Sequence, residues 1–313
     1  MSFISNLVNG ISLGSIYALI ALGYTMVYGI AKMLNFAHGD VIMVGGYAAF
    51  ITMAASWCPL WLAMVITVTV CTVLGVVIEK VAYRPLRSAP PLAVLITAIG
   101  VSYLLQNIAL ITQTANTKMF TSIAKGAPPF LQVIKGHGVL FFKANPYESE
   151  GVMPDLSISM ESFLTIIVSI LIMVALTLFI NKTKMGKAML ACSEDRGAAQ
   201  IMGINVNATI SLTFAIGSAL AAVAAVLMCS AYPVISPYTG SMPGIKAFVA
   251  AVFGGIGSIP GAMIGGVLLG VIEILSKFYI STELSDAIVF LVLIIVLIVR
   301  PTGIMGKKIS EKV

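Results

Sequence analysis

Side chains able to do chemistry are few in this chain, and they fall at breaks between long apolar runs. LNFAHGD, residues 34–40, packs Asn35, His38 and Asp40 into one short polar segment. Such groups are costly in hydrocarbon and must face protein, water or a partner, and interrupted helices of this kind line substrate paths in transporters. The competing reading is an interfacial loop with His38 exposed. Gln106 and Asn107 lie deep in a later apolar run, where amides either bond between helices or face a path. Glu273 is the one acid well inside the late apolar region. It stands four residues before Lys277, a spacing that pairs on a helix and lets the acid snorkel to the interface.

Other chemistries find no support. The two histidines, His38 and His137, are far apart, and Cys58, Cys71, Cys192 and Cys229 lack ligand or disulfide spacing, so no metal site is expected. No cluster of titratable groups suits an enzyme. MGKA at 185–188 lacks the Ser/Thr and upstream Gly of a phosphate-binding loop, so any ATP used would be hydrolysed by other subunits.

The elements that must position these residues are membrane helices. The 313 residues are 59% hydrophobic and only 10% charged, against about 25% charged in soluble domains, and the mean hydropathy is +1.05. The expected fold class is all-α: one polytopic membrane bundle over 1–313, with eight or nine transmembrane segments, some of them broken. The net charge of +6 sets orientation and does not signal nucleic acid, because the basic residues gather at span ends. Apolar runs are expected at about 3–28, 41–53, 60–78, 91–111, 163–180, 207–230, 245–253, 262–274 and 284–299. The 245–253 run is too short for an ordinary span and reads as a half-membrane helix. Gly10, Gly14 and Ala18, and again Gly257, Gly261 and Gly265, recur every four residues and allow close helix packing.

Glu79, Lys80, Arg84 and Arg87 read as a short basic loop; it, the lysines Lys182, Lys184 and Lys187, and the group Arg300, Lys307, Lys308 and Lys312 mark the expected cytoplasmic ends. The hydrophilic segment 113–160 (Lys118, Lys125, Lys135 and Lys143 offset by Glu148, Glu150 and Asp155) falls outside by parity. Its Pro128, Pro129, Gly136 and Gly138 favour turns and short strands. No cleavable leader is expected at the start.

The polar interruption 182–206 reads as a cytoplasmic loop carrying a short helix. Ser193 is the expected N-cap, Glu194 and Asp195 fill the first turn, and Gly203 is the stop. A helix from 194 to 202 would be about 14 Å long, too short to stand alone. Ala198, Ile201 and Met202 share one face, so the helix reads either as a docking knob for another protein or as an ordinary connection.

GAAQIMG, residues 197–203, resembles the EAA loop of ABC-importer permeases, with Gly197 where the usual Glu stands. The matching stretch comprises Leu190, Ala191, Cys192, Ser193, Glu194, Asp195, Arg196, Gly197, Ala198, Ala199, Gln200, Ile201, Met202, Gly203, Ile204 and Asn205. In that family this helix enters a cleft of a separate ATPase. GSIYALIALGYTMVYGIAKMLNFAHGDVIMVGGY, residues 14–47, is similar to the branched-chain amino acid importer permeases, specifically the smaller of their two permease subunits. GIKAFVAAVFGGIGSIPGAMIGGVLLGVIE extends the likeness, and 113–160 is the least matched region. The resemblance implies a second homologous permease, two ATPases that hold ATP and magnesium, an extracytoplasmic binding protein, and a place in the cell membrane. It implies no cofactor on this chain. It leaves open whether the cargo is leucine, isoleucine, valine, or a small solute such as urea or an amide. A stand-alone ion-coupled transporter is the alternative of a different class.

Overall fold

The structure, a computed structural model, describes residues 2–55, 58–134, 138–146, 154 and 156–306. Lys135, Gly136, His137, Glu148, Glu150, Asp155, Lys307, Lys308 and Lys312, named above, lie outside the described residues.

Eleven helices form the body among the described residues: α1 (Ser2–Ala31), α2 (His38–Ala54), α3 (Leu60–Ile78), α4 (Pro91–Gln113), α5 (Met160–Lys182), α6 (Lys184–Glu194), α7 (Arg196–Ile201), α8 (Val206–Ala231), α9 (Ser241–Gly254), α10 (Ile259–Tyr279) and α11 (Ser285–Val299). Six are long and apolar enough to cross a membrane; α9 and α11 are shorter apolar helices. Helix α1 is the hub. Its apolar window is 94% buried, against 22% for α4 and 28% for α5, so α1 faces protein all round while α4 and α5 turn broad apolar faces outward.

Small residues let the hub pack. A Cβ at Gly14 would lie 2.6 Å from the Val267 carbonyl, and Gly266 and Gly270 of α10 press on Ala18 and Gly14. The opposite side of α10 uses Gly261 and Gly265 against Gly254 and Ala250 of α9. Two glycine faces on one helix therefore seat it between two neighbours.

Two helices start inside the bundle. Helix α1 ends at Lys32, which takes a left-handed φ of 52°. The chain then doubles back, so that His38, at the start of α2, touches Gly23, about 12 Å before the end of α1. Helix α9 starts beside it, with Gly240 and Gly244 packed on Gly39. From this meeting point α2 and α9 leave in opposite directions. The outer half of α2 packs with Ala109 and Phe120. The last carbonyls of α9, Phe253 and Gly254, accept hydrogen bonds from Ile304 and Met305 at 2.9 Å. The broken helices expected from the sequence are thus present at both places.

The 113–160 side carries small strands. β1 (Lys118–Met119) pairs antiparallel with β5 (Val234–Ile235), and β2 (Leu131–Ile134) lies between β3 (Gly138–Phe141) and β4 (Leu156–Ile158). Asn6 and Asn9 share a cleft with Ser122, Ser159, Pro233 and Phe278, which puts the start of α1 at this same end.

The structure corrects two expectations. Glu79, expected in a loop, lies in a π turn (Glu79–Tyr83) that prolongs α3; it is fully buried and accepts hydrogen bonds from Arg87 and from Ser211. Glu273 does not snorkel. It is 1% exposed and accepts from Tyr17 at 2.8 Å, Lys246 at 2.8 Å and Lys277 at 2.6 Å. Lys246 also pairs with Asp286 at 2.6 Å. The expected pair with Lys277 is real, but a third of that lysine is exposed, so the pair adds little stability. The buried bond to Lys246 ties α9, α10 and α11 together, and Tyr17 adds α1. Glu273→Gln is expected to destabilise the assembled protein by about 1.5–3 kcal/mol, the usual worth of a hydrogen bond to a charged group, because Lys246 keeps Asp286 as its partner. Thermal unfolding in detergent checks this; an unchanged midpoint contradicts it.

Candidate functional site

At the end of the bundle that carries Lys182, Lys184 and Lys187, α5 stops at Thr183. The Thr183 hydroxyl accepts from the Gly186 N–H at 3.0 Å and so caps α6. Gly186 is pressed against the backbone of Phe179 and Ile180, which sets a sharp elbow. Met189 and Cys192 face into the bundle while Leu190 and Glu194 face out.

The short helix differs from its expected form. It runs from Arg196 to Ile201, about 9 Å, and its cap is Asp195, not Ser193. Asp195 adopts extended φ and ψ, and its carboxylate accepts from the N–H groups of Gly197 at 2.8 Å and Ala198 at 3.0 Å. Ser193 still belongs to α6 and donates its hydroxyl to the Leu190 carbonyl. A carboxylate two residues on outcompetes it because it adds charge at the positive end of the helix. The expected stop is present: Gly203 takes φ 82°, and Ile204 and Gly203 donate back to Ala199 and Gln200, each at 3.0 Å, a Schellman closure. Ala199 faces the bundle. Ala198 is exposed beside Ile201 and Met202, which are 87% and 81% exposed. An apolar tip on a capped rod is thus left in water.

Arg196, which the sequence reading grouped with this stretch without a role, reaches back to the other site. Its guanidinium donates to the Ala31 carbonyl, one of the last orphan acceptors of α1. Burial, and then the nearby Arg87, lowers its pKa below the ordinary arginine value, yet arginine keeps its charge under such shifts. Arg87 in turn bonds Asn207 and Glu79. Side chains therefore tie α7 to the end of α1, and the end of α3 to the start of α8.

The polar residues at the break are brought together and closed. Asn35, His38 and Asp40 are 3%, 1% and 2% exposed. Asn35 accepts from the Tyr83 hydroxyl at 2.8 Å. Gln106 donates to Asp40 at 2.9 Å and to Ser241 at 3.3 Å, and so bridges α4, α2 and α9. His38 packs edge-on to Tyr24, with ring centroids 4.7 Å apart. Asn107 is not part of this group. One residue on from Gln106, it is turned about 100° round the helix, exposed, and donates to the Tyr103 carbonyl of its own helix. Among the described residues no group of three metal-ligating side chains is assembled.

A buried hub, two helices that start within the bundle and long apolar helices around them define a multi-pass protein of the cell membrane. Residues 6–297 match the family described as branched-chain amino acid transport system / permease component, and the chain belongs to that family. It is 46% identical to the high-affinity branched-chain amino acid transport system permease protein LivH of Escherichia coli strain K12, covering 99% of this chain and 98% of that one. It is 45% identical, with the same coverage, to BraD of Pseudomonas aeruginosa, also named a high-affinity branched-chain amino acid transport system permease. A probable LivH of Methanocaldococcus jannaschii is 28% identical over 93% of this chain and 89% of its own length. The reading as a permease component thus stands above that of a stand-alone carrier.

Removing the Asp195 carboxylate leaves two N–H groups of α7 without their acceptor. Asp195→Ala is expected to cost the helix about 1 kcal/mol. Hydrogen exchange at Gly197 and Ala198 should quicken about fivefold, with no change in α8; exchange at the wild-type rate contradicts the cap.

Proposed function

We propose that this chain is one of two permease subunits of an ATP-driven importer for leucine, isoleucine and valine. Its partners are a homologous permease, two ATPase subunits on the cytoplasmic side and an extracytoplasmic binding protein. ATP and magnesium reside on the ATPases, and this chain holds no cofactor. The cargo follows from the names of its relatives, whose permeases serve branched-chain amino acid systems.

The observation that carries the reading is the rod α7. It is capped at both ends and exposes Ala198, Ile201 and Met202 to water. Exposed apolar side chains on a rigid element mark a partner site, and the side is cytoplasmic. The stretch Leu190 to Asn205 then acts as the coupling region. Its link to the spans is Arg196, whose bond to Ala31 grips the end of α1. Beyond that grip lies the turn with Asn35, His38 and Asp40. A push on α7 would load α1 and strain the Asn35–Tyr83 and Asp40–Gln106 bonds, so this cluster acts as a closed gate in the state described. Asn107, on the outer face of α4, contributes to packing at that surface and not to the gate.

Ala198→Trp adds bulk at the exposed tip and leaves the buried faces untouched. The variant is expected to insert in the membrane and pair with the second permease, but to lose ATPase binding or the ATPase stimulation given by loaded binding protein. Co-purification and ATP hydrolysis in proteoliposomes measure this; wild-type values for both contradict the docking role. In the same vesicles the wild type should take up leucine with ATP and ignore urea.

A further inference from the structure

A sizeable cavity lies away from the gate. It lies at the outer ends of α1, α5, α8 and α10 and measures about 630 Å³, within the range of about 300–1,000 Å³ typical of small-molecule sites. Its walls carry charge of both signs. Glu161 stands in the first turn of α5 and Lys277 in the last turn of α10. Both line the cavity, yet the ion partner of Lys277 is Glu273, and Glu161 takes a hydrogen bond from Ser122 at 3.0 Å. Two opposite charges that face one cleft without pairing leave binding capacity in both. The ammonium has three donors, of which Glu273 takes one, and the carboxylate has about four lone-pair sites, of which Ser122 takes one. The accessible apolar part of the same lining is supplied by Ile274 and Phe278.

A free amino acid with an aliphatic side chain matches all three features. Its ammonium suits Glu161, its carboxylate suits Lys277, and its hydrocarbon suits the apolar surface of Ile274 and Phe278. We propose that this cleft is an outer subsite for zwitterionic aliphatic amino acids, which receives the cargo before it reaches the closed cluster at Asp40 and Gln106. This rests on the importer reading given above and adds where in this chain the cargo is first held. Carboxylic acids without the amine would lose the Glu161 contact, and amines without the acid would lose the Lys277 contact.

The test uses the full complex of permeases and ATPases in nanodiscs without binding protein, with equilibrium binding of radiolabelled leucine. Wild type should bind leucine, and Glu161→Gln should weaken that binding at least about tenfold, or 1.4 kcal/mol. Binding of 4-methylpentanoate, which lacks the amine, should be weak in wild type and unchanged in the variant. Phe278→Ala, at an exposed position that tolerates truncation, should reduce the advantage of leucine over alanine. Co-purification of the ATPases reports that each variant has assembled. Absence of leucine binding in wild type, or equal leucine affinity in Glu161→Gln, overturns the subsite. If ATP-driven uptake of leucine with binding protein persists alongside either result, the importer reading survives and the subsite alone is wrong. If wild type takes up no branched-chain amino acid at all, the importer reading fails first.

Discussion

Backbone groups cannot be left unpaired in hydrocarbon, and this rule governs the two places where the bundle stops being helical. Each break must be buried in protein or lined by it. The molecule meets the demand by placing both breaks at one point. Gly39 of α2 meets Gly240 and Gly244 of α9 there, close enough that a Cβ on any of them would overlap backbone. Helix α1 then shields them from the side with Gly23 and Tyr24 against His38. The need for that shield explains why α1 is a buried hub rather than a lipid-facing helix, and why its contact with α10 is made by glycines. Polar side chains can exist at such a junction because lipid is already excluded from it. They also give it a breakable set of bonds, in Asn35–Tyr83 and Gln106 with Asp40 and Ser241.

The same hub connects the junction to the cytoplasm. Helix α1 ends in carbonyls that need donors, and the guanidinium of Arg196 supplies one from the first turn of α7. An arginine is suited to the task because its planar fork keeps geometry while its charge persists. In the importer proposed above, the rod outside and the cluster at the break would be two ends of one mechanical element. The ion cluster around Glu273 joins α9, α10 and α11 to one another and, through Tyr17, to α1 itself.

Much of this arrangement is legible in the sequence, within limits that have physical causes. Helix breaks announce themselves because polar and Gly-rich stretches interrupt otherwise continuous apolar runs, and both half-helices fall where such stretches lie. Glycines at four-residue spacing signal close approach, but spacing does not name the neighbour. Only the structure shows α10 using one glycine face for α1 and another for α9. The fate of Glu273 was hidden for a similar reason. Its partner Lys277 is one turn away and visible, whereas Lys246 and Tyr17 come from other helices. Gln106 and Asn107 look alike in sequence and part company by one helical step. The cap went to Asp195 over Ser193 because α6 continues further than the polar run suggests. The outer cleft could not be read at all, since its charges lie on α5 and α10 and no local pattern joins them.

If Arg196 couples α7 to the spans, α7 and the end of α1 move as one body. Pulsed electron spin resonance on the full complex tests this, with labels at Lys32 and Gln200, both exposed. The Lys32–Gln200 distance distribution is expected to be the same in the nucleotide-free and ATP-trapped states, and to broaden or shift between states once Arg196 is replaced by alanine. A wild-type distance that changes on ATP trapping would show instead that the rod slides past α1.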